Sequence, residues 1–78
     1  MIEYKKQAQK FILSQGKQAA RRLYAAIEQL PLGDVRPYYS TKSPKLYRLR
    51  VGGYRVIFSR DQDLITILQI DKRGDVYK

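Results

Sequence analysis

The sequence has no cysteine, no histidine and no tryptophan, and only one methionine among its 78 residues. Without cysteine there is no disulfide scaffold, no thiolate metal site and no cysteine nucleophile. Without histidine, the commonest metal ligand and the commonest general base at neutral pH are both missing, so no metal or other cofactor is expected. Long apolar runs are also absent. None approaches the ~20 residues that cross a bilayer as a helix, and no signal-peptide pattern opens the chain. A cytoplasmic protein without a membrane partner is the expectation. Acid is scarce: seven Asp and Glu oppose sixteen Lys and Arg, for a net charge of +9. From Val35 to Arg60 there is no acidic residue, while Arg36, Lys42, Lys45, Arg48, Arg50, Arg55 and Arg60 all fall there. Taken alone, such a field favours a polyanion: nucleic acid, an anionic membrane or an acidic protein.

What is present is enough for a small fold. The composition is 44% hydrophobic and 29% charged, which argues against disorder. Residues 1–78 are expected to form one domain with a modest core, since a chain this short buries only about 60% of its unfolded surface. The N-terminal part has helical period. Ala8, Phe11 and Ile12 begin one apolar stripe, and Gly16 suits a stop. A second stripe runs Ala20, Leu23, Tyr24, Ile27, Leu30 and ends at Pro31. The two helices would pair as an antiparallel hairpin around a turn near Gly16, with a brief strand at Ile2 to Tyr4 before them. Pro31 to Pro44 holds all three prolines and the run Ser40-Thr41-Lys42-Ser43, and reads as loop.

The C-terminal part changes period. Lys45 to Val51 and Tyr54 to Arg60 alternate around Gly52-Gly53, a strong signal for a two-residue hairpin turn. Asp61 to Asp63 make a second turn; the Asp61-x-Asp63 spacing fits turn chemistry better than a metal pair. Leu64 to Ile70 is a nearly continuous apolar run, as in an interior strand. The expected fold is therefore α+β, a helical hairpin packed on one face of a small antiparallel sheet in the order β-α-α-β-β-β.

A two-residue turn fixes the register: Val51 faces Tyr54, Arg50 faces Arg55, Leu49 faces Val56, Arg48 faces Ile57 and Tyr47 faces Phe58. By alternation, Tyr47, Leu49, Val51, Tyr54, Val56 and Phe58 share one apolar face, which should meet the helices. Arg48, Arg50 and Arg55 share the other. Like charges directly opposite destabilise a sheet by up to about 1 kcal/mol, so the Arg50–Arg55 pair makes sense with an anion between its members. Guanidinium forks match phosphate geometry well.

The string Leu46-Tyr47-Arg48-Leu49-Arg50-Val51-Gly52-Gly53-Tyr54-Arg55-Val56-Ile57-Phe58 and the ending Asp71-Lys72-Arg73-Gly74-Asp75-Val76-Tyr77-Lys78 resemble the RelE/ParE superfamily of bacterial toxins, the RelE-like branch most closely. The resemblance covers the whole chain. It implies the toxin of a type II toxin–antitoxin system, encoded by a bacterium, plasmid or phage. It further implies a metal-independent endoribonuclease that cuts messenger RNA in the ribosomal A site, by attack of a ribose 2′-hydroxyl on the adjacent phosphate. The site residues it implies are Arg48, Arg50, Arg55, Arg73 and Tyr77, with Arg36, Lys42, Lys45 and Lys72 binding RNA. Its partners would be the ribosome, the message and a cognate antitoxin, with the toxin a monomer when free and part of a hetero-oligomer with its antitoxin. Two other functions stay open: a ParE-like inhibitor of DNA gyrase that cuts nothing, and a nucleic-acid-binding module without turnover. For the cleavage chemistry, clustered arginines can stabilise the charge of a phosphorane-like transition state. They are poor proton acceptors, which leaves Tyr77, with Lys45 and Lys72 in reserve, for proton transfer.

Overall fold

A computed structural model of the chain describes residues 1–30, 32–38 and 46–72. Its elements run β1 (Ile2–Tyr4), α1 (Lys6–Ser14), α2 (Lys17–Glu28), β2 (Val35–Tyr38), β3 (Leu46–Val51), β4 (Tyr54–Asp61) and β5 (Leu64–Lys72). The strands form one five-stranded sheet in the order β1-β5-β4-β3-β2. The α+β layering is as expected, with two differences in the sheet. β1 pairs with β5 in parallel, which makes the sheet mixed. Val35–Tyr38, expected as loop, is an antiparallel edge strand on β3. Pro37 argued against a strand there, but at a sheet edge a missing N–H costs no ladder hydrogen bond.

Both helices are held by packing more than by their ends. Neither has a side-chain N-cap or an acidic residue in its first turn, and Lys6 and Lys17 stand there instead, against the helix dipole. Each offers an i, i+4 pair to the core: Ala8 and Ile12 from α1, Leu23 and Ile27 from α2, all with no exposed surface. Gly16, at φ +91°, turns the chain between them. Against these four lie Leu49 and Val51 of β3, Val56 and Phe58 of β4, and Ile65, Ile67 and Ile70 of β5.

The hairpin register matches the expectation at every named pair, from Tyr47 opposite Phe58 to Val51 opposite Tyr54. Gly52 takes the left-handed conformation its turn requires, with φ +57°. The second turn places Asp61 opposite Leu64 and Gln62 at φ +56°, so the two aspartates there flank a tight reversal.

The β4–β5 ladder contains an irregularity the sequence does not announce. Ile57 pairs with Gln69 but Phe58 pairs with Ile67, leaving Leu68 as an extra residue on β5. This is a β-bulge. Ile67 and Ile70 are three apart, so in a regular strand they would point to opposite faces. The bulge lets both enter the helix-facing core. It also advances everything beyond it by one residue.

α1 reaches this strand directly. β1 covers the outer edge of β5 only from Ile65 to Ile67, and Lys5 N–H extends the pairing with a bond to the Ile67 carbonyl. Beyond that the edge is finished by a side chain. Gln7 donates from Nε2 to the Ile70 carbonyl (3.4 Å) and accepts from the Ile70 N–H at Oε1 (3.2 Å). The amide thus imitates one residue of a neighbouring strand.

Candidate nucleic-acid interface

The helices cover one side of the sheet. On the other, register assembles a row of arginines across three strands: Arg36 of β2 opposite Arg48 of β3, and Arg50 of β3 opposite Arg55 of β4. There are thus two directly opposed like-charge pairs. Reading residues 35–38 as loop hid the first of them. At the far side of the same face, Glu3 of β1 stands opposite Thr66 of β5. Positive charge is therefore concentrated toward β2 and β3.

The four arginines are not equivalent. Arg50 is exposed and Arg48 half-buried, and among the described residues neither forms an ion pair. Arg36 has its Nε 3.5 Å from Oδ1 of Asp34, with both side chains largely in solvent. Such a pair contributes about 0–1 kcal/mol and leaves the cation available. Arg55 differs. Its Nη2 donates to Oδ2 of Asp71 at 2.9 Å, and the two side chains are only 21% and 30% exposed. The Arg55 guanidinium carbon also sits 5.8 Å from the ring centre of Tyr38, a cation–π arrangement. The anion beside Arg55 is thus the chain's own. Asp71 offsets the Arg50–Arg55 repulsion that alternation predicted.

Apolar groups complete the surface. Ile57, opposite Arg48 on this same side, is buried although it stands apart from the helix-facing core. A shallow groove of about 540 Å³ is bordered by Arg36, Pro37, Tyr38 and Arg48. It offers two cations beside an exposed tyrosine edge, a combination that suits phosphate together with a flat ring.

Of the residues expected at the site, Arg36, Arg48, Arg50 and Arg55 come together on one face. Lys72 does not join them. It pairs with Tyr54, a position that belongs to the helix-facing side. Lys42, Lys45, Arg73 and Tyr77 lie outside the described residues. Asp71, Tyr38 and Gln7 are new. Tyr38 was hidden by the loop reading of its segment. Asp71 was hidden by the bulge: a regular ladder from the Asp61–Leu64 turn would set Asp71 opposite Tyr54, on the wrong face.

Residues 2–77 match the family described as ParE toxin of type II toxin-antitoxin system, parDE. The chain belongs to that family, within the RelE/ParE superfamily. In structure it is similar to the archaeal RelE–RelB complex from Pyrococcus horikoshii OT3, with 33% identity and a TM-score of 0.73 over 94% of this chain and 93% of that one. No individually curated protein matches it significantly. Among the described residues, no helix is long and apolar enough to cross a membrane.

Proposed function

We propose that this toxin, acting as a single domain, is a metal-independent endoribonuclease of the RelE type, cleaving messenger RNA in the ribosomal A site and so stopping translation. One observation carries the reading: the open arginine face, on which Arg48 and Arg50 have no acidic partner among the described residues. The likeness to an archaeal RelE over nearly the whole chain supports it. In this reading Arg48 and Arg50 hold the scissile phosphate and meet the charge that develops when the 2′-hydroxyl attacks it. Arg36 and Tyr38 receive the neighbouring nucleotide. Arg73 and Tyr77 complete the set, with Tyr77 the candidate for proton transfer. Lys42, Lys45 and Lys72, together with the helical bases Lys6, Lys10, Lys17, Arg21 and Arg22, lean on ribosomal RNA. The ribosome contributes much of the rate by fixing the message in line for attack. The same face gives a cognate antitoxin its target: an acidic segment that orders on binding would neutralise it. Free, the toxin is a monomer in the cytoplasm.

The decisive experiment adds purified protein to ribosomes stalled with an empty A site and maps new RNA ends by primer extension. Cleavage inside the A-site codon, dependent on ribosomes and lost in Arg48→Ala/Arg50→Ala, is the expected outcome. Intact message with folded protein overturns the reading. The family description supports a second one, gyrase inhibition without cleavage. A supercoiling assay on the same preparation decides it.

A further inference from the structure

The Arg55–Asp71 pair is half-made. A guanidinium presents Nε and one Nη along a single edge, and a carboxylate can meet both in a fork. Here Nη2 reaches Oδ2, while Arg55 Nε and Asp71 Oδ1 are each shielded from solvent and, among the described residues, have no hydrogen-bond partner. Unpaired buried polar atoms are costly, and a donor and an acceptor orphaned together on one ion pair call for an explanation. The rest of the site is firmly set. Tyr38 lies against the guanidinium, and the two hydrogen bonds exchanged with Gln7 fix the main chain of Ile70 immediately before Asp71.

An unpartnered donor and an unpartnered acceptor on one ion pair suit a ligand group that accepts and donates at once. Phosphate oxygens only accept, and an ammonium only donates. A hydroxyl does both. We infer that the open half of the Arg55–Asp71 pair is a recognition site for a ribose 2′-hydroxyl, which accepts from Arg55 Nε–H and donates to Asp71 Oδ1. The inference rests on RNA being the ligand, as proposed above, and gives Arg55 a role distinct from that of Arg48 and Arg50. Those two bind phosphate, which RNA and DNA share. Arg55 with Asp71 reads the one group that separates ribose from deoxyribose. Because Nε and Oδ1 are shielded, the pair must open slightly to admit the hydroxyl. That cost is expected to make the contribution modest.

Binding of the full-length chain to one short sequence prepared as RNA, as DNA and as 2′-O-methyl RNA tests this without ribosomes or turnover. Fluorescence anisotropy is the readout. The wild type is expected to favour RNA over DNA by about tenfold, the scale of one or two charge-assisted hydrogen bonds after desolvation. The 2′-O-methyl strand keeps the acceptor but has lost the donor, and is expected to bind like DNA. Asp71→Asn raises the net charge and tightens binding to every strand, so the RNA-to-DNA ratio is the diagnostic quantity. That ratio is expected to fall toward one. In Arg48→Ala, affinity for RNA and DNA falls together and the ratio stays. A wild-type ratio near one overturns the inference. So does a 2′-O-methyl strand that binds like RNA, or an Asp71→Asn ratio equal to that of the wild type. The probe strands on wild-type protein decide the matter even if the variant fails to fold. Failure here leaves ribosomal cleavage standing, and absence of cleavage leaves the binding ratio readable.

Discussion

The two sides of the β3–β4 hairpin are made from the same short stretch of chain by alternation, yet they obey different rules. Toward the helices, every inward residue from Leu49 to Phe58 is apolar and meets an apolar partner. Away from them, like charges stand directly opposite each other twice, one arginine is matched with an acid from β5, and a buried Ile57 stands apart from the main core. The inner side is arranged for stability alone. The outer side carries an electrostatic cost that folding does not require, and a polyanionic ligand would remove it.

This contrast breaks most sharply at Phe58, which is 1% exposed and stacks on Tyr47 with ring centres 5.5 Å apart. Phe58→Ala is expected to cost about 3–5 kcal/mol, the transfer and cavity terms of a buried aromatic. Against the roughly 5 kcal/mol that a domain this small commands, the variant should keep no more than about 2 kcal/mol and unfold at much lower urea. Circular dichroism with urea titration checks it. A loss below 1 kcal/mol would mean that the inner side is not the packed core described here.

Next in size is Gln7. Replacing it with leucine keeps the volume and removes both bonds to Ile70, leaving one main-chain donor and one acceptor unpaired. The expected destabilisation is about 1–3 kcal/mol. Hydrogen exchange should show the Ile70 amide losing protection while the amide of Val56 keeps its own. Equal loss at both would indicate global unfolding and assign Gln7 no particular role at this edge.

These two residues also mark what the sequence discloses. Phe58 announces itself, because alternation around a two-residue glycine turn determines which residues face each other. The helical stripes are equally legible, since Ala20, Leu23, Ile27 and Leu30, spaced by three, four and three, can share a face only in a helix. Three of the arginines are legible for the same reason as Phe58. Their difference in environment is not. It depends on one extra residue, Leu68, and reading Leu64 to Ile70 as one nearly continuous apolar run passes over it. Once Leu68 is skipped, Asp71 moves from a position opposite Tyr54 to one opposite Arg55, and the candidate site gains its acid. Gln7 is similarly silent, because a glutamine in a first helical turn looks like any solvated residue until the strand edge beside it is known. Local pattern is readable, whereas contacts that span the chain wait for the fold.

On the outer side even a large side-chain truncation should do little to stability. Arg48→Ala removes a half-buried arginine, which loses some packing of its stem. It also relieves the opposition to Arg36, worth a few tenths of a kcal/mol. The net change is expected within about 0.5 kcal/mol. The two opposing contributions separate with salt. Screening weakens the Arg36–Arg48 repulsion, so the variant's relative stability should fall from low to high ionic strength. A salt-independent difference would show that the arginines splay far enough to ignore each other.

The smallest expected effect belongs to the helix-facing side and concerns pH. Tyr4 of β1 packs edge-on against Tyr24 of α2, with ring centres 5.6 Å apart. Burial, then the neighbouring Tyr24 and Glu28, raise the Tyr4 hydroxyl above its ordinary value of 10.0. The folded protein therefore keeps this proton at pH values where the unfolded chain has lost it. Stability from this source is complete below about pH 10 and declines as pH rises from there through the raised folded value. Tyr4→Phe preserves the ring contact and removes the ionisable group. Between pH 7 and 9 the two proteins should differ by a constant amount, and above pH 10 the wild type should lose stability more steeply. The difference between the two curves is the quantity to follow. Parallel curves up to pH 11 would mean that the hydroxyl stays hydrated, and that the inner side of the sheet is less closed at β1 than at β4.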